Sequence, residues 1–108
     1  PHVDHFIPWS RYPHDLGHNF VLAHQTCNCS KSDMLASVEH LEKWVDRNKT
    51  NEAQMDDYFA ENNLNHDLAS SVAVTKWAYS QAVDTGSHLW VESKDVVPAN
   101  HKWEKVLS

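Results

Sequence analysis

No stretch of this 108-residue chain stays apolar over the roughly 20 residues that a membrane-crossing helix needs, so a helical span is excluded. The few residues ahead of the first apolar stretch do not read as a secretory leader, and none is expected. The chain opens at Pro1 rather than Met, only three residues before Asp4, and further residues upstream are expected. Cysteine is scarce. Cys27 and Cys29 stand one residue apart, a poor spacing for a disulfide, so reduced thiols and a cytoplasmic location are the expectation. In that setting the sequons at Asn28 and Asn48 read as chance matches. Basic residues are few, nine against fifteen acidic, for a formal net charge of −6. Tight non-specific DNA binding needs several Lys or Arg contacts to phosphate, and this balance argues against it for the chain alone. The deficit is uneven: five basic and six acidic residues lie through Lys49, and four and nine beyond. Repeats and low-complexity tracts are also missing.

What is present reads as one domain of mixed α and β character. Val3 to Ile7 has the alternation and length of a strand, which Pro8 ends. Residues 10–18, with Pro13 and Gly17, form a loop, and Phe20 to Ala23 is a second strand able to pair antiparallel with the first. A helix is predicted from about Asn28 to Val45, because Met34, Leu35, Val38, Leu41, Trp44 and Val45 recur at steps of three and four. A second helix fits Glu52 to Asn62, with Met55, Tyr58 and Phe59 inward. A third fits Asp67 to Thr85, between a capping Asp67 and a stop at Gly86, with Val72, Lys76, Trp77 and Val83 near one face. His88 to Glu92 reads as a final strand, and Val96 to Pro98 as an extended tail.

Polar residues punctuate the first third. Asp4 and His5 adjoin on the first strand, Asn19 precedes the second, and Asn28 opens the helix ahead of Lys31. A carboxylate, an imidazole and an amide so spaced are able to hold a divalent cation and activate a water, the chemistry of phosphodiester hydrolysis. Neighbouring strand residues point to opposite faces, so Asp4 and His5 must flank the phosphate or the strand must twist.

Residues Val3-Asp4-His5-Phe6-Ile7-Pro8, Asn19-Phe20-Val21-Leu22 and Cys27-Asn28-Cys29-Ser30-Lys31 together resemble the HNH endonuclease family. The resemblance implies an α+β fold: a ββα-metal core of hairpin plus helix at residues 1–48, followed by a small helical appendage at 49–108. It implies His5 as general base, with Asn19 tying the loop and orienting it. Asp4 and Asn28 become ligands of Mg²⁺ or Mn²⁺. DNA is the implied substrate, with Lys31, Arg11 and His14 as candidate contacts. An upstream part of the protein, or a partner chain, is expected to complete the unit.

Many members of that family carry paired Cys-x-x-Cys motifs on a structural zinc. Here His24-Gln25-Thr26-Cys27 supplies half of such a site. The alternative reading is therefore a non-catalytic, zinc-stapled module that binds nucleic acid or protein.

Overall fold

The computed structural model describes residues 2–12, 16–23 and 31–108. β1 (His2–His5) pairs antiparallel with β2 (Phe20–Ala23), placing Val3 opposite Leu22, Asp4 opposite Val21 and His5 opposite Phe20. A 3-10 turn at Gly17–Asn19 leads directly into β2. Gly17 is required there by close approach: a Cβ on it would stand 2.8 Å from the buried Phe59 ring.

The predicted helix from Asn28 to Val45 is interrupted among its described residues. Ser32 takes the left-handed conformation at φ 51°, residues 34–37 are not helical, and α1 (Val38–Thr50) starts only after Ser37. Its apolar period misled because Leu35 and Ala36 are buried by a different route. Their segment runs alongside a later strand: Trp90 N–H donates to Leu35 O at 2.8 Å, and Ser37 N–H to Trp90 O at 2.8 Å. The expected start of the helix at Asn28 lies outside the described residues.

α2 (Glu52–Glu61) and α3 (Leu68–Asp84) fall close to the sequence expectation. Asp67 caps α3, accepting from Ala69 N–H at 3.2 Å and the Ser70 hydroxyl at 2.7 Å, and Gly86 follows its end at φ 66°. The buried face of α3 is rotated from the expected one. It consists of Ser71, Thr75, Ala78, Tyr79 and Ala82, while Trp77 faces solvent. Two hydroxyls hide this face from a hydropathy pattern. Thr75 Oγ1 satisfies itself on Ser71 O at 2.7 Å.

The appendage is not purely helical. β3 (His88–Glu92) and β4 (Asp95–Pro98) form a second antiparallel hairpin, and the short α4 (Trp103–Val106) follows. The two hairpins are separate two-stranded sheets. One core joins Phe6 and Ile7, after β1, to Leu35, Leu41 and Trp44 and onward to Ala78, Tyr79, Leu89 and Leu107. The expected division at residue 48 falls inside α1.

Candidate active site

β1 carries Asp4 and His5 on opposite faces, as strand alternation requires. Asp4 Oδ1 accepts the His5 backbone N–H at 2.7 Å. The His5 ring lies 5.1 Å from Phe20, its partner across the hairpin, and 5.8 Å from Trp9. Asn19 is buried in the 3-10 turn. Its Oδ1 accepts Ile7 N–H at 2.7 Å, its Nδ2 donates to Ile7 O at 2.9 Å, and its own carbonyl accepts Phe6 N–H at 2.7 Å. The strand end that bears His5 is thus pinned immediately downstream by three hydrogen bonds to one residue.

Lys31 lies differently from the expected phosphate contact. It is only 7% exposed, and its ammonium faces the carbonyls of His5 and Phe6 at 3.4 Å each. Burial pushes its pKa down, opposed first by the Asp4 carboxylate. Asp4 and Lys31 are therefore within electrostatic reach, on the inner side of the hairpin. Arg11 Nε donates to Asp33 O at 3.0 Å, tying the loop after β1 to the turn after Lys31. Asn28, His14, His24 and Cys27 lie outside the described residues.

Three further residues position this region; the sequence marked Trp44 only as part of an apolar stripe and gave Arg47 no role. Trp44 of α1 stacks on Phe6 at 5.0 Å, with ring planes 5° apart, and its Nε1 donates to His18 O at 2.9 Å. Arg47, one turn on, donates to Phe20 O at 2.7 Å and also to His18 O. Burial lowers the Arg47 pKa. His18 is wholly buried against Phe59, with ring centroids 5.1 Å apart. The available signal was an arginine three residues after a stripe tryptophan, at the edge of an apolar face.

Among the described residues, no group of three or more His, Cys, Asp or Glu side chains is arranged to hold a metal ion. Asp4 supplies one hard oxygen donor.

Residues 2–37 match the HNH endonuclease family. The HNH match covers about a third of the chain, taking in β1, β2, the clip at Asn19 and the segment through Ser37. A search of curated proteins and a search of solved structures each found no match. The HNH segment is a two-strand hairpin followed by helices within a mixed α+β chain, and HNH domains generally use a divalent metal to act on DNA. No helix among the described residues is long and apolar enough to cross a membrane.

Proposed function

We propose that this chain is a metal-dependent HNH endonuclease domain that hydrolyses DNA phosphodiester bonds. The observation that carries the reading is the Asn19 clip on Ile7, which fixes the end of the strand bearing Asp4 and His5 within the HNH-matching segment. His5 is the general base. Its imidazole nitrogen accepts the proton of the attacking water. The water oxygen bonds to phosphorus as the P–O3′ bond breaks, leaving a 3′-hydroxyl and a 5′-phosphate. Asp4 and Asn28 would hold Mg²⁺ or Mn²⁺, ions suited to carboxylate and amide oxygens, and the ion would supply Lewis-acid stabilisation of developing negative charge. Phe20 and Trp9 flank the His5 ring and restrict its swing. Lys31 sets the field at Asp4 from within and braces the His5 and Phe6 carbonyls.

In this reading residues 1–48 hold the chemistry, and residues 49–108 support it by completing the core under Phe6 and Ile7. The test is nicking of supercoiled plasmid in Mg²⁺ or Mn²⁺. The His5→Ala chain is expected to cut about 10²–10⁴-fold more slowly with its thermal unfolding unchanged. Equal rates in the two folded proteins would defeat the catalytic assignment.

A further inference from the structure

The hairpin face that presents His5 is apolar rather than cationic. Strand alternation puts Val3 on the same face as His5, and the register sets Leu22 and Phe20 across from them. Val3, Leu22 and Trp9 are 64, 74 and 50% exposed, and clustered apolar exposure of this kind marks a contact surface. The nearby cations are turned elsewhere. Lys31 and Arg11 address backbone carbonyls, and Arg47 holds the carbonyls of His18 and Phe20.

Phe20 is shared between this face and a second feature. It packs 5.1 Å from the His5 ring and also lines an open cleft of about 370 Å³. Asn51, Gln54 and Tyr58 also line the cleft, with Tyr58 59% exposed, as does Arg47, whose guanidinium is held by the Phe20 and His18 carbonyls. A ring with a free face stacks on any nucleobase, and side-chain amides both donate and accept, as base edges do.

We propose that the cleft is a subsite for one unpaired nucleobase, stacked on Tyr58 and hydrogen-bonded by Asn51 and Gln54, beside the phosphodiester held at His5. Trp9 and Leu22 contact the neighbouring nucleotides, and the substrate class is single-stranded or locally unpaired DNA. The inference rests on the nuclease reading for the position of the phosphodiester. Charge selects this substrate over intact duplex. A chain of net charge −6 in which Lys31, Arg11 and Arg47 hold backbone carbonyls has little to offer the denser phosphate charge of a duplex, whereas exposed rings offer stacking that only an unpaired base can take up.

The experiment measures fluorescence anisotropy of a labelled oligothymidylate, and of its duplex with oligoadenylate, in Mg²⁺. The His5→Ala chain serves as background so that neither strand is cut. The single strand is expected to bind roughly tenfold more tightly than the duplex. Adding Tyr58→Ala or Trp9→Ala should each weaken single-strand binding by roughly tenfold, while Tyr58→Phe retains it. Both side chains are largely exposed, so circular dichroism should report an unchanged fold. Duplex binding that equals single-strand binding overturns the proposal, as does indifference to Tyr58→Ala. It is also overturned if the face pairs two copies of this chain: dimers in sedimentation that Leu22→Ser dissolves, with no oligonucleotide bound. Single-strand binding through Tyr58 by a wild-type chain that cuts neither the bound oligonucleotide nor plasmid supports the subsite and overturns the hydrolytic reading alone.

Discussion

The side chain of Asn19 closes both backbone groups of Ile7, taking its N–H at 2.7 Å and donating to its carbonyl at 2.9 Å. Both residues are buried, so water cannot replace either bond. Asn19→Ala should therefore destabilise the fold by about 1–3 kcal/mol, read by urea unfolding. Nicking should fall further than the folded fraction does. Asn19→Asp keeps the acceptor but sets a carboxylate oxygen against the buried Ile7 carbonyl, so it should cost at least as much as Asn19→Ala, and a smaller loss would contradict the two-bond account.

Arg47 binds β2 to α1 through Phe20 O, and the turn through His18 O. Arg47→Met preserves the length of the stem and removes both donors. Hydrogen bonds to charged groups contribute about 1.5–3 kcal/mol each, so the variant should lose at least that much. Arg47→Lys has one compact charge for two carbonyls and should recover only part. Complete recovery in a thermal melt would show that the fork geometry is irrelevant.

Tyr79 donates its buried hydroxyl to Ala36 O at 2.6 Å, and burial pushes its pKa far above the ordinary value. This bond fastens α3 to the non-helical segment that displaced the expected helix. Tyr79→Phe should cost about 1–3 kcal/mol in urea unfolding, because the Ala36 carbonyl loses its donor out of reach of water. A neutral substitution would mean that Ala36 finds another partner.

His18 gives a pH dependence of definite sign. Both of its ring nitrogens are buried without a hydrogen-bond partner among the described residues. Burial lowers its pKa below 6.5, the Asp56 carboxylate at 3.7 Å opposes the shift, and Arg47 and His66 add to it. The folded value lies below the unfolded one, so in that window the unfolded chain holds the extra proton. The contribution to stability is complete above pH 6.5 and is lost as pH falls through and below it. Titration of the His18 ring by NMR should give a midpoint below 6.5, with folded stability declining over the same range. A midpoint above 6.5 would mean that Asp56 outweighs desolvation.

The hairpin was legible because its signals are local: alternation through Val3 to Ile7, Pro8 as a stop, and Asn19 just ahead of a short apolar run. α3 was legible from Asp67 and Gly86 for the same reason. The single long helix was not, because apolar spacing at Met34 and Leu35 reports burial and not backbone conformation. What decided that segment was its hydrogen bonding to Trp90, more than fifty residues away. The buried face of α3 was misread because Ser71 and Thr75 look polar while satisfying themselves or packing inside. At the site, Asp4, His5 and Asn19 came from the motif. Arg47 and Trp44 act on backbone carbonyls, which carry no sequence signature. Lys31 stands where the pattern puts it but faces inward.

Phe6 adjoins His5 and shares its buried core with Leu107, in the last turn after α4. The strand that presents the imidazole has no rigidity of its own, since an isolated two-stranded ribbon is barely stable in water. Its order is borrowed from the opposite end of the polypeptide. Warming should consequently not leave the chain folded with its nicking reduced: heat inactivation and the calorimetric transition are expected to coincide.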